Sequence, residues 1–263
     1  MFSDIQNSQT KNKNIQTPEG MVLIPQGPFT MGANGWGAFE SPVHEVHIKD
    51  FLLDSTTVTN RQFQEFVKAT DFITTAEKKG EANGYRKGSL ELIAGLNWKT
   101  YATPERMEHP VVLVSWEDAS KYAEWAKKRL PTEAEFEKAS RGGLFGKLYP
   151  WGDEPPTDQY CNFAKETTDY PVTVAVKSFP PNAYGLYEIC GNVWNWCQDW
   201  FLEDFYSKSP LENPKGPEIG FTKVRRGASF NVIQPFRLRC SNRGAYYPNS
   251  FAINIGFRCA MDI

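Results

Sequence analysis

Residues 225–244, RRGASFNVIQPFRLRCSNRG, bring five arginines, two serines and one cysteine into twenty positions. A guanidinium is a rigid fork of donors, suited either to gripping a carboxylate or phosphate or to tying loop carbonyls together. For Arg239, Arg243 and Arg258 the expectation is structural; Arg226 and Arg237 are left open between the two uses. Ser229 has no histidine near it in the motif, so nothing supports serine-hydrolase chemistry. The three histidines offer little more. His44 and His47 lie three apart in HEVH, which on a strand puts them on opposite faces. A two-His-one-carboxylate iron site lacks a third ligand at any suggestive spacing. Cys190 and Cys197 are seven apart, which matches neither a zinc nor a redox spacing, and they are expected to be core thiols.

Behind these residues stands a chain of 263, with 40% hydrophobic and 14% aromatic content, enough for a substantial core. The 29 basic residues nearly balance the 31 acidic ones, so no charged field is provided for nucleic acid or for an anionic membrane. Residues 1–18 are polar, lack a signal-peptide core and read as a flexible tail before a single domain at 19–263. Together with five sparse cysteines this makes the cytoplasm the expected location.

Short apolar runs at 21–25 and 43–53 predict strands. Capping boxes at Thr59/Gln62, Ser115/Asp118 and Thr132/Glu135 predict helices over about 60–69, 116–126 and 133–140. The apolar run after His109 predicts a short strand, and residues 71–108 read as a long surface excursion. From 141 onward, short aromatic runs alternate with turn residues. The sum is α+β with little regular secondary structure.

The segments RLPTEAEFEKASRGG, YPWGDE, SFPPNAYGLYEICGNVWNWCQDW, RRGASF and NIGFRCA follow one another in an order that resembles the formylglycine-generating enzymes, also called sulfatase-modifying factors. The resemblance implies a variant of the C-type-lectin-like fold. It also implies a site, since enzymes of this family hold one copper ion between two cysteine thiolates just after a Gly-x-Ser-aromatic motif. Here that motif is Gly227-Ala228-Ser229-Phe230, and the two thiolate positions fall on Val232 and Pro235 in a loop about two residues shorter. Neither residue can ligate copper, so copper is not expected at the family position, and any iron or other redox metal is left without named ligands. In secreted relatives Cys240 and Cys259 match disulfide partners of cysteines that here are Ser140 and Ala123, so both are expected as buried free thiols.

The family's calcium ligands map onto Glu188, the carbonyls of Gly191 and Val193, and Asn195, with amide and carboxylate exchanged relative to many relatives. Structural calcium is therefore expected there. A second, weaker set would be Asn162, the Phe163 carbonyl and Asp169. Segments that border the substrate groove in the family carry Trp194, Phe230, Phe236, Tyr246, Tyr247 and Phe251. A pocket over Ser229, Asn231 and Gln234, with Trp194, Phe230, Arg237, Tyr246 and Tyr247, is the expected substrate site. Two functions stay open: an oxidative tailoring enzyme acting on a peptide or small molecule, or a catalytically silent ligand-binding module. The free-standing chain favours the enzyme, with the binding module as the alternative, and nothing in the sequence fixes the oligomeric state.

Overall fold

The computed structural model describes residues 17–165 and 172–263. The expected tail lies almost wholly outside the described residues, as does Asp169. Each capping box forms as its spacing predicts. Thr59 opens helix α1 (Asn60–Thr70) by accepting from the Gln62 amide while Gln62 Oε1 accepts from the Thr59 amide at 2.9 Å. Ser115 and Asp118 open α4 (Trp116–Trp125) in the same reciprocal way, and Thr132 and Glu135 open α5 (Glu133–Arg141). These boxes satisfy amides that a helix start otherwise leaves orphaned.

The apolar faces of α1 and α4 meet in an aromatic cluster. Phe63 contacts Trp98 at 5.1 Å and Tyr122 at 5.9 Å between ring centroids, and Tyr122 contacts Phe257 at 5.3 Å. Buried rings of this size supply much of the core's apolar area.

Residues 71–108 are more ordered than their weak periodicity implies. They hold α2 (Thr75–Lys79), a hairpin of β5 (Glu81–Arg86) with β6 (Ser89–Ala94), and α3 (Trp98–Tyr101), with Ala76, Ala82, Trp98 and Tyr101 buried. The hairpin closes on Lys87 and Gly88, both at positive φ, in a two-residue turn whose twist suits paired strands. The predicted strand after His109 does not form. Residues 111–114 are buried but pass through φ 60° at Leu113, and their amides reach the carbonyls of Val58 and Ala252 instead of a ladder.

The expected strand at 43–53 is two strands, β3 (His44–Ile48) and β4 (Phe51–Asp54), in different sheets. The first pairs with β2 (Gly27–Met31), the second with both β1 (Met21–Ile24) and β11 (Ala260–Asp262). A four-stranded sheet carries the second half. Its order is β10 (Ile255–Gly256), β7 (Trp194–Trp200), β8 (Lys223–Arg226), β9 (Arg243–Tyr246). Helix α5 packs against β7 and β8, and all its residues from Glu133 to Ser140 are buried.

A helix buried on every side cannot carry solvated charges, so Glu133 and Glu137 are matched inside the protein. Arg243 grips Glu133 with Nε at 2.7 Å and Nη2 at 2.8 Å. Arg226 bonds Glu137 and the carbonyls of Cys240, Ser241 and Asn242. Arg141 and the Gly32 amide complete the Glu137 shell. This network joins α5 to both ends of residues 225–244.

Candidate functional site

Strand β8 ends in a turn that only a restricted backbone can make. Gly227 sits at φ 89°, and a Cβ there would come 2.8 Å from the Ile189 carbonyl oxygen. Ala228 follows at φ 60°, fully buried. Two successive left-handed residues reverse the chain and drop Ser229 into the protein.

Ser229 is fully buried and hydrogen-bonded. Its Oγ donates to Asn231 Oδ1 at 2.9 Å, and the Asn254 amide donates to both, at 3.2 Å to Ser229 Oγ and 2.9 Å to Asn231 Oδ1. The Asn254 carbonyl in turn accepts from the Trp194 amide. Asn254 lies just ahead of the IGFRCA stretch, and only the three-dimensional pairing of β10 with β7 reveals that it belongs with Ser229.

The expected pocket residues divide into three groups. Phe230 is core: it packs with Val112, Leu113, Val193 and Ile253 and is not a groove wall. Trp194 is 5% exposed and Tyr246 half-buried, and the Arg225 guanidinium lies against both rings, 4.6 Å and 5.2 Å from their centroids. Gln234, Arg237 and Tyr247 are exposed at the rim. Arg226 and Arg239, like Arg243 and Arg258, are buried ties. Arg239 makes a bidentate pair with Glu40 at 2.7 Å and 2.9 Å, and Arg258 bonds the carbonyls of Asp54, Ser55, Tyr187 and Glu188. Phe236 stands outside, stacked on Trp36.

Val232 and Pro235 occupy the loop as the sequence places them, the first packed on the core and the second opening a short 3-10 turn, Pro235–Leu238. All five cysteines are buried and unpaired. Burial pushes the Cys240 thiol up to about 12 and the Cys190, Cys197 and Cys259 thiols well above the ordinary range, which disfavours the thiolates that soft metals need. Among the described residues no group of three or more His, Cys, Asp and Glu side chains is placed to hold a metal. His44 and His47 part company, His44 against the Tyr206 ring and His47 between Glu45 and Glu212. His109, against Arg106 and Thr173, is pulled down to about 4 by burial and by the neighbouring guanidinium, and is neutral at pH 7.

In the expected calcium set, Glu188, Asn195 and the Val193 carbonyl are already paired with protein donors. The Glu188 carboxylate accepts from the amides of Lys177 and Phe179 at 3.0 Å and 3.1 Å, and burial raises its pKa. The Asn195 amide nitrogen donates to the Val193 carbonyl at 3.0 Å, and its oxygen accepts from Arg258 Nε at 3.2 Å. A donor faces one of the expected ligands and a fixed cation holds another, so the set does not fit calcium without rearrangement. In the weaker set, the Asn162 side-chain nitrogen donates to the Val172 carbonyl at 2.7 Å and to Asn192 Oδ1 at 3.2 Å. Chelation is expected to leave the melting temperature unchanged. Calcium held at a hundred times its Kd would instead contribute about 2.7 kcal/mol, so a chelator-induced drop of several degrees would show that Glu188 and Asn195 turn to an ion.

A family model described as the sulfatase-modifying factor enzyme 1-like domain matches residues 6–263. The chain belongs to that family. It is 41% identical over 284 aligned residues to the formylglycine-generating enzyme of Thermomonospora curvata, an alignment covering 93% of this chain and 94% of the relative. The formylglycine-generating enzyme of Streptomyces coelicolor is 40% identical over 284 residues, with 94% and 90% covered. Among solved structures, PvdO from Pseudomonas aeruginosa superimposes with a TM-score of 0.74 at 28% identity, covering 92% of this chain and 94% of that one. The sulfatase-modifying fold is thus present over nearly the whole chain. Behind Ser229, Val232 and Pro235 stand where the resemblance in sequence leads one to expect thiolates.

Proposed function

We propose that this protein is an oxidative tailoring member of the sulfatase-modifying family that acts on a peptide or small molecule held over residues 229–234, rather than an oxidase of a sulfatase cysteine. The carrying observation is the contrast within one segment. The scaffold that presents Ser229 is intact, with Asn231 and Asn254 closing a polar triangle around its hydroxyl, while Val232 and Pro235 offer no thiolate. Similarity to named formylglycine-generating enzymes over more than nine-tenths of the chain supports retained catalysis. The ligand-binding alternative draws on the absence, among the described residues, of a three-ligand cluster of His, Cys, Asp and Glu.

Oxygen uptake separates the two. Protein reconstituted anaerobically with copper or iron is expected to leave a sulfatase-derived cysteine peptide unchanged in mass. The same protein should consume oxygen when given peptide and metabolite fractions of its source cells. Ser229→Ala and Asn254→Ala should each cut that uptake at least about tenfold, the scale of one lost interaction made in the transition state. Removing the hydroxyl should lower stability by only about 1 kcal/mol. Retained binding of a fraction without oxygen uptake would establish the silent module instead.

A further inference from the structure

Of the five arginines in residues 225–244, three are accounted for by buried partners and Arg237 lies in water. Arg225 is neither. It projects from β8 opposite Gly244 of β9, and its guanidinium lies against the rings of Trp194 and Tyr246. Among the described residues it makes no ion pair and no side-chain hydrogen bond, and its Nε is fully buried without an acceptor. Leaving a buried charged donor unmatched costs several times what a surface charge costs. Its neighbour two residues back shows the contrast: Lys223 lies between Trp116 and Trp200 at 4.0 Å and 3.8 Å, but donates to the Gln198 carbonyl at 2.9 Å.

The surroundings of Arg225 are shaped around it. A Cβ on Gly244 would come 3.1 Å from Arg225 Cγ, 3.2 Å from its Nε and 3.2 Å from the Trp194 ring, so the absent side chain is what lets the guanidinium lie there. Burial weakens the protonated form and lowers the Arg225 pKa to about 10, and the second positive charge nearby, Arg237, acts in the same direction. Among the described residues no carboxylate pairs with either charge. Two rings lie against the guanidinium, and a planar carboxylate accepts two parallel N–H bonds from a guanidinium's in-plane edge.

We propose that Arg225, held by Trp194, Tyr246 and Gly244 and assisted by Arg237, binds a carboxylate group of the ligand at the edge of the groove. This rests on the placement of the groove beside Ser229 and names the charge class of what enters it. The aromatic walls favour a carboxylate carried on an apolar or aromatic body.

Benzoate, inorganic sulfate and chloride at matched ionic strength serve as probes, read by 15N NMR of the tryptophan indoles with Trp194 assigned from Trp194→Phe. Benzoate is expected to shift the Trp194 indole saturably and more tightly than sulfate, with no saturable effect of chloride. Arg225→Met should weaken benzoate at least about tenfold, as loss of a charge-assisted fork implies. Arg225→Lys should fall between, and Gly244→Ala should weaken binding with Arg225 still in place. Circular dichroism establishes that each variant is folded. Equal shifts with chloride, tighter sulfate binding, or wild-type benzoate affinity in both Arg225→Met and Gly244→Ala would overturn the assignment. Because the readout is binding, missing oxygen uptake would sink the oxidative reading and leave this one standing; uptake without benzoate binding would do the reverse.

Discussion

Arg226→Met is expected to lower the melting temperature by about 15 °C, the largest effect of any single substitution outside the aromatic core. Arg226 is completely buried, and Glu137 beside it is equally buried. Removing the guanidinium strands that carboxylate with Arg141 as its remaining cation, exposes Glu133 to a weakened field, and leaves three carbonyls, of Cys240, Ser241 and Asn242, without their donor. Breaking a buried pair costs about 3–5 kcal/mol, and orphaned buried acceptors add about 1–3 kcal/mol each where water cannot reach them. Even the lower figures approach the whole stability of an ordinary domain, and about 2–4 °C of melting temperature accompanies each kcal/mol at this chain length.

The acid limb supplies an independent check. Burial pushes the Glu137 carboxyl up, but Arg141 and Arg226 outweigh it and hold the pKa below 4.5. The sign follows: a depressed carboxylate stabilises the fold fully above pH 4.5 and loses that contribution as pH falls through its folded value. In Arg226→Met much of the loss on acidification should disappear, because little stabilisation is left to remove. A melting temperature within 5 °C of wild type would show that the carboxylate and carbonyls find water, and that α5 is not fixed to β8 by this arginine.

How much of this was readable from residues alone depended on the range of the interaction. The capping boxes at Thr59, Ser115 and Thr132 are contained in four consecutive positions, and each forms as expected. An equally local box at Thr74 and Glu77 opens α2, but that helix is five residues long and carries no periodic face to announce it. The Lys87-Gly88 turn is likewise a two-residue hairpin without the asparagine that usually signals one. The apolar run at 111–114 satisfied the strand pattern in composition while Leu113 adopted a left-handed backbone that no apolar pattern encodes.

At the site, the motif through Ser229 and the loss of both thiolate positions were legible, because they are matters of identity at a spacing. The roles of the arginines were not. Arg225 and Arg226 are adjacent and identical in type, yet strand alternation sends one to the Trp194 and Tyr246 rings and the other into the α5 carboxylates. The expected calcium ligands show the same limit, since the groups paired with Glu188 and Asn195 come from Lys177, Phe179 and Arg258, none of them in the motif.

The second large effect concerns the tie at the far end of the same segment, and it links stability to the groove. Glu40→Ala is expected to cost about 3–5 kcal/mol, the scale of a broken buried pair, because it leaves the Arg239 guanidinium unpaired in a site 2–3% exposed. That guanidinium also holds the Phe236 carbonyl through Nε at 2.6 Å and lies 4.2 Å from the Trp36 ring centroid. Ser241 Oγ donates to the same Glu40 carboxylate at 2.8 Å. Losing Glu40 therefore frees residues 233–237, which are exposed and held to the body of the protein chiefly through this arginine. Limited proteolysis should cut Glu40→Ala within that stretch under conditions that spare wild type. A double variant, Glu40→Met with Arg239→Met, separates charge from packing: replacing both partners with apolar side chains removes the unmatched charge, and should recover at least half of the stability lost by Glu40→Ala. Proteolysis within 233–237 should persist in the double variant, since Arg239→Met removes the donor to the Phe236 carbonyl. Full protection there would show that Pro235 and the Trp36–Phe236 stack hold the loop by themselves, and that the arginine serves the core alone.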